Sequence, residues 1–247
     1  MKICVIGCGN VARVLKEKLE EELVFYDRHP EKCKELCENC FFEDPIEMFE
    51  SGCDLIVEAA SPKAVEELGL EAVKRADLLV LSVGALINEE LREKLIKVAE
   101  ESGHKVYVPS GAIAGIDAIK ALREVGIDEV RITVRKNPKS LGVETSEEKV
   151  LFEGSAEEAV KKFPFNVNVV ATLKLASGAP VKVRVVADPK VDRNIHQIEV
   201  ISKASNVFIR VENVPSPYNP KTSYLAILSV LRTIKEIAKG GVLRVGT

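Results

Sequence analysis

Lys2-Ile3-Cys4-Val5-Ile6 runs straight into Gly7-Cys8-Gly9-Asn10-Val11-Ala12, and Asp27 stands twenty residues after Gly7. Five apolar or half-apolar residues before a glycine pair read as a short buried strand. Gly7 permits a tight turn, Gly9 lets backbone approach a bulky anion, and the small Ala12 lets the next helix pack close to the strand. The N–H groups at the start of that helix, at Asn10 and Val11, face the anion with the positive end of the helix dipole behind them. Leu23-Val24-Phe25-Tyr26 forms a second apolar strand and Asp27 closes it, where a carboxylate accepts both ribose hydroxyls. The order strand, glycines, helix, strand, acid is the sequence form of a dinucleotide-binding βαβ unit. A glycine turn in an α/β protein without a cofactor is the plainer alternative. Gly7, Gly9, Asn10, Val11, Asp27 and Arg28 are the contacts expected of the cofactor reading.

Composition narrows the class. At 247 residues the chain buries a substantial core as one large domain or two smaller ones. Its 35 Lys and Arg against 38 Asp and Glu leave a net charge of −3, spread along the whole length, so nucleic acid is not expected as a partner. Apolar runs such as Leu78 to Val83 are too short to span a bilayer, and a structural strand occupies the place of a signal peptide. No membrane association and a cytoplasmic location are expected. Charged residues make up 30% of the chain and Gln197 is the only glutamine, a balance that leans towards a thermophilic source.

All six cysteines lie between Cys4 and Cys53, and Cys33, Cys37 and Cys40 spell C-x3-C-x2-C. That spacing serves iron–sulfur clusters, but in a loop after the first strand of a barrel, a place taken here by the glycine turn. Core thiols are the favoured reading, with redox sensing or an intracellular disulfide as alternatives and no metal expected.

Residues 1–108 alternate strand and helix patterns as in a doubly wound parallel sheet, the Rossmann arrangement within an α/β fold class. Strands are expected at Asp54 to Glu58, Asp77 to Leu81 and Lys105 to Val108, with a short segment near Phe41. Ser61-Pro62 opens a helix with a capping hydroxyl and a first-turn proline. Polar or small loops follow the strand ends: Ala59-Ala60-Ser61, Ser82-Val83-Gly84-Ala85 and Pro109-Ser110-Gly111-Ala112. Open α/β sheets bind ligands at that edge, which makes Ala60, Ser61, Ser82 and Gly84 further candidates, with ordinary turn chemistry as the alternative for any single loop. From residue 109 to 220 the pattern changes to that of a second, smaller α+β domain. Its expected strands are Glu129 to Arg135, Val181 to Ala187, Asn194 to Ile201 and Asn206 to Val211, and Lys136 to Lys149 reads as an exposed excursion. Tyr224 to Lys239 reads as a long amphipathic helix, and the C-terminal stretch 221–239 is expected to return to the first domain.

Three histidines are available. His29 lies at the adenosine end and His104 in a turn. His196 shares one face of a strand with Asn194, and imidazole suits the return traffic of a proton near neutral pH. A satisfied structural histidine remains the alternative. Lys221, Thr222 and Ser223 end a proline-stiffened polar segment that begins at Glu212. An ammonium, hydroxyls and helix amides there suit a carboxylate, while a rigid linker with a capping hydroxyl is the simpler reading.

Together these segments resemble the L-aspartate dehydrogenase family over nearly the whole chain. The resemblance rests on GCGNVA (Gly7 to Ala12), SVGAL (Ser82 to Leu86), PSGAIAGIDAI (Pro109 to Ile119), FPFNVNVVATL (Phe163 to Leu173), NIHQI (Asn194 to Ile198) and ENVPSPYNPKTS (Glu212 to Ser223). It implies NAD(P)-dependent oxidation of L-aspartate to iminoaspartate, which hydrolyses to oxaloacetate and ammonia or feeds quinolinate and hence NAD biosynthesis. It makes His196 the catalytic residue and leaves Asn194, Lys221 and Thr222 as candidates for orienting substrate carboxylates. Ala112 and Asn168 are expected to shape the pocket and nicotinamide site, and a homodimer is implied. NAD is expected to be preferred because Asp27 repels a 2′-phosphate, with some NADP use because Arg28 and His29 stand beside it. The competing readings are a related oxidoreductase of homoserine or dihydrodipicolinate type and a non-catalytic NAD-sensing module.

Overall fold

A computed structural model describes residues 1–163 and 168–240 of the chain, except the side chains of Pro220 and Lys221. Two compact units divide it: Met1–Pro109 together with Leu231–Lys239, and a second built on Ser110–Val230.

The first unit alternates β1 (Lys2–Ile6), α1 (Asn10–Lys18), β2 (Glu22–Tyr26), α2 (Pro30–Leu36), α3 (Pro45–Glu50), β3 (Leu55–Glu58), α4 (Pro62–Val73), β4 (Asp77–Val80), α5 (Glu89–Ser102) and β5 (Val106–Tyr107). All the strand pairs are parallel and the sheet order is β2-β1-β3-β4-β5. Ile3, Cys4, Val5 and Ile6 are all buried because β1 is central and covered on both faces. The strand expected near Phe41 shrinks to a single bridge beside Phe25 of β2. The chain leaves β1 towards β2 on one side and resumes at β3 on the other. That reversal opens a crevice at the carboxyl ends of β1 and β3, where α/β sheets take ligands. Ser61 caps α4 by accepting from the Ala64 amide at 3.2 Å, with Pro62 in the first turn, as the Ser-Pro pair implied.

The cysteines depart from the core-thiol expectation. Cys4 pairs with Cys53, Cys8 with Cys33 and Cys37 with Cys40 as disulfides, at Cα separations of 5.9, 5.2 and 5.5 Å. The physical reason is the packing. The turn before β3 folds back beside β1, and α2 packs beside the glycine turn, which brings residues far apart in sequence within bridging reach.

The second unit contains α6 (Ile116–Leu122), β6 (Ile127–Lys136), α7 (Pro138–Leu141), β7 (Lys149–Ser155), α8 (Ala156–Lys162), α9 (Asn168–Ser177), β8 (Val181–Ala187), β9 (Asn194–Ser202), β10 (Asn206–Asn213), β11 (Pro215–Ser216) and β12 (Asn219–Ser223). The helix α10 (Tyr224–Lys239) follows. The main sheet runs β10-β9-β6-β8-β7, antiparallel except for β6 against β8. Val130, Ile132, Val134, Val183, Val185, Ile198 and Val200 form its core with Ile119, Val170 and Leu173 of the helices. One expectation fails here. The polar stretch after Arg135 is not wholly exposed, since β6 extends to Lys136, which is buried. The Pro-rich segment is a small hairpin of β11 and β12, and α10 starts at Tyr224, as the amphipathic pattern of residues 224–239 implied. Among the described residues no helix is long and apolar enough to cross a membrane.

Alkylation of the denatured, non-reduced protein followed by mass spectrometry is expected to find no free thiol among the six cysteines. The Cys4→Ala/Cys53→Ala double variant, which opens a loop of 49 residues, is expected to lose about 2–4 kcal/mol in chemical denaturation.

Candidate active site

The glycine turn meets β3 closely. Gly7 has φ +106°, and a Cβ built on it would stand 2.8 Å from the Ala59 carbonyl oxygen. Both the backbone angle and the contact require glycine. A Cβ on Gly9 would meet nothing within 4 Å, so that side of the turn is open to a ligand. Gly9 is also the N-cap of α1 and makes no side-chain cap hydrogen bond, so the positive end of the helix dipole faces this side of the turn. A cavity of about 220 Å³ lies there, lined by Gly7, Gly9, Asp27, Arg28, Ala60 and Ser61 among others. Asp27 is held in place by the Cys8 amide on one oxygen and the His29 amide on the other, each at 3.0 Å. The glycine cradle, the helix N-terminus and the oriented carboxylate fit a dinucleotide: pyrophosphate on the turn and ribose on Asp27.

Glu58 organises this edge, and the sequence reading missed it. Its Oε1 accepts from the Ala60 and Ser61 amides and the Ser82 hydroxyl, and its Oε2 from the Ser82 amide, all at 2.9 Å. One carboxylate thereby joins the loops after β3 and β4. Burial pushes its pKa up, and the donors from Ser82, Ala60 and Ser61 pull it back down. The available signal was an acid ending an otherwise apolar strand at the ligand-binding edge. Gly84 is buried in the short helical turn Val83–Ile87 and does not line the cavity.

In the second unit a polar cluster interrupts one end of the apolar sheet face. His196 of β9 pairs across the ladder with Val134 of β6 and Val211 of β10, and Asn194 pairs with Asn213. His196, Asn194 and Asn213 are 2%, 3% and 3% exposed. His196 Nδ1 lies 3.0 Å from the Ala112 carbonyl oxygen. Asn213 Nδ2 donates to the same oxygen at 3.1 Å and to the Asn194 carbonyl at 3.3 Å, and it lies 3.2 Å from His196 Nδ1. These two acceptors use both amide hydrogens, so the network assigns the imidazole proton to Nδ1, donating to Ala112, and leaves Nε2 as the basic nitrogen. Asn194 Nδ2 donates to Ser223 Oγ at 3.1 Å, which ties β9 to the small hairpin.

The electrostatics match that geometry. Burial, assisted by the charge of Lys136 and opposed by the hydrogen bond to Ala112, lowers the His196 pKa to about 4. The imidazole is therefore neutral at physiological pH. Burial alone lowers the Lys136 pKa to about 8. Asn213 Oδ1 is buried and finds no donor among the described residues.

Of the residues singled out from the sequence, Asn194, His196 and Ala112 come together directly. Ala112 acts through its backbone carbonyl. Thr222 neighbours Ser223 in β12, and Asn168 begins α9, half-buried. The Lys221 side chain lies outside the described residues. Asn213 and Lys136 joined the cluster unannounced. Asn213 sat unremarked in a polar run, and Lys136 looked like the start of a loop. Among the described residues no group of three or more His, Cys, Asp or Glu could hold a metal ion.

Comparison with known proteins bears on the whole chain. Residues 7–109 match the family described as homoserine dehydrogenase, NAD binding domain, and residues 117–237 the family described as aspartate dehydrogenase, C-terminal. An L-aspartate dehydrogenase of Methanothermobacter thermautotrophicus is 39% identical, covering 100% of this chain and 99% of the relative. One from Methanopyrus kandleri is 41% identical, again covering 100% and 99%. A crystal structure of aspartate dehydrogenase from Thermotoga maritima superposes with a TM-score of 0.84 at 34% identity, covering 100% of this chain and 99% of that one.

Replacing Glu58 with alanine leaves the amides of Ala60, Ser61 and Ser82 without their acceptor. Of these only the Ser82 amide is buried, and a buried unpaired donor costs about 1–3 kcal/mol. The variant is expected to unfold at lower urea concentration and, by fluorescence titration, to bind NADH more weakly than wild type.

Proposed function

The chain belongs to the L-aspartate dehydrogenase family, and we propose that it catalyses the NAD(P)-dependent oxidative deamination of L-aspartate. The observation that carries this reading is His196: buried, neutral, fixed through Nδ1 to the Ala112 carbonyl, with Nε2 left as the base. NAD(P)+ supplies the hydride acceptor when bound. Gly7, Gly9 and the first amides of α1 hold its pyrophosphate, and Asp27 holds the adenosine ribose.

The substrate enters as a dicarboxylate. As hydride leaves its α-carbon, the lone pair of the neutral amine closes the C=N bond and yields the protonated imine. His196 Nε2 takes a proton, either from the amine as it is readied for oxidation or from the water that adds to the imine carbon. Collapse of that adduct releases ammonia and oxaloacetate. Asn213 Oδ1 offers an acceptor to a substrate N–H, while Asn194, Thr222 and Lys221 orient carboxylates. Ser82 holds the cofactor edge through its hydrogen bonds to Glu58. A water-poor cluster strengthens each of these interactions.

Release of iminoaspartate before hydrolysis would supply quinolinate formation, and hence NAD biosynthesis. A cytoplasmic homodimer is the form in which we expect the enzyme to work. Asp27 makes NAD the preferred cofactor, with NADP tolerated through Arg28.

Two measurements test the reading. NADH formation with L-aspartate is expected for the wild type, and His196→Ala is expected to lose roughly 10²–10⁴-fold in kcat with NADH affinity unchanged. Wild-type NADH binding without turnover would favour a sensor, and turnover of homoserine instead would favour the related oxidoreductases. For the cofactor, Asp27→Ser is expected to raise the NADP-to-NAD ratio of kcat/KM by about tenfold or more, since it removes the repulsion of a 2′-phosphate. An unchanged ratio would remove Asp27 from the selection.

A further inference from the structure

We propose that the Cys8–Cys33 disulfide is a redox site that sets cofactor affinity, opened by a dithiol with loss of hold on NADH. The inference rests on the reading of the glycine turn and Asp27 as the dinucleotide site. The bridge joins the turn itself to α2, at a Cα separation of 5.2 Å. Cys8 stands between Gly7 and Gly9, and its amide donates to Asp27 Oδ2 at 3.0 Å. The covalent loop it closes spans 25 positions. Gly9, Tyr26, Asp27, Arg28 and Lys32 all lie inside that span, and all line the cavity. One covalent bond therefore ties the phosphate end of the cavity to the segment that carries its ribose end.

The helix α2 depends on that bond. At seven residues it is too short to be stable alone. Its ion pair from Glu35 to Arg13, at 3.5 Å, is exposed and worth little. Cys33 is 0% exposed and Cys8 3%, so the bridge supplies the buried tie to the turn. The half-buried Cys37–Cys40 pair closes the far end of α2, with the Cys37 amide on the Cys33 carbonyl at 2.7 Å. Opening that outer pair lets the helix end fray and gives a reductant access to Cys33. A thiolate of the dithiol then attacks Cys33 Sγ, and Cys8 leaves as a thiolate that takes a proton from solvent. The second thiolate of the dithiol displaces Cys33 from the mixed disulfide, and Cys33 is protonated in turn. The protein gains two electrons and two protons, and the dithiol becomes a disulfide. Two thiols cannot stand at the bonded distance, so α2 and the turn separate and the Cys8 amide loses its fixed place at Asp27. A cradle that must be ordered on binding holds its ligand more weakly than one already in place. An enzyme that passes electrons to NAD+ thus loses its hold on the cofactor as surrounding dithiols become reducing.

The test equilibrates the wild-type protein in mixtures of reduced and oxidised dithiothreitol, with and without saturating NADH. Acid quenching, alkylation and mass spectrometry then give the midpoint of each of the three bridges. Because coupling between sites is reciprocal, a bridge that tightens NADH binding roughly tenfold is itself stabilised tenfold by NADH. Saturating NADH is expected to move the Cys8–Cys33 midpoint about 30 mV lower, with the Cys4–Cys53 midpoint unmoved. The Cys8→Ser/Cys33→Ser variant, with its other bridges intact, is expected to bind NADH about tenfold more weakly than the oxidised wild type. Its affinity, read from the fluorescence of NADH, should no longer respond to the outer Cys37–Cys40 pair being reduced. The wild-type titration decides the matter even if that variant does not fold. An unmoved Cys8–Cys33 midpoint would overturn the proposal, as would an equal shift at Cys4–Cys53, which would mark general stabilisation of the fold. A protein that binds NADH in neither redox state would overturn the dinucleotide assignment, and the proposal with it.

Discussion

A backbone carbonyl can accept two hydrogen bonds, and that of Ala112 takes both, one from His196 Nδ1 and one from Asn213 Nδ2. The polar end of the second sheet depends on this double acceptance. It fixes which imidazole nitrogen carries the proton, and through Asn213 it couples the strand β10 to β9. Without that acceptor, a histidine 2% exposed would have a buried donor and no defined tautomer. The low pKa follows from the same burial, since a neutral carbonyl stabilises the imidazolium too weakly to offset desolvation.

The first unit uses the same device with a stronger acceptor. Glu58 gathers donors from two loops that have no sequence relationship to one another. In both units, then, one buried acceptor, Glu58 at the end of β3 and the Ala112 carbonyl in the loop before α6, collects donors from separate segments. Removing one member of such a network leaves its partners buried and unpaired, and it resists substitution for that reason.

The disulfides and Lys136 show a different lesson. Cys4 and Cys53 are separated by 49 positions, and no local pattern pairs them. Lys136 looked like the first residue of a polar excursion because Asn137-Pro138 follows it. The ladder to β8 nevertheless carries β6 one residue past Arg135 and takes Lys136 into the interior. A charged residue at a strand's end is indistinguishable from loop by composition; its burial depends on which strands and helices cover it.

Local sequence determined the parts of this protein whose physics is local. Glycine at position 7 is demanded by its backbone angle and by the Ala59 carbonyl, and the alternation of apolar strands and amphipathic helices set the parallel order of the first unit. The pairing of Asn194 and His196 on one face followed from strand periodicity alone. Tertiary structure decided the rest. The carbonyl that orients His196 comes from 84 residues earlier in the chain, and the Asn213 amide from 17 residues later. Nothing in a linear spacing reports such partners, because hydrogen bonds and desolvation depend on distance in space, and only the folded sheet brings these groups within 3.3 Å of one another.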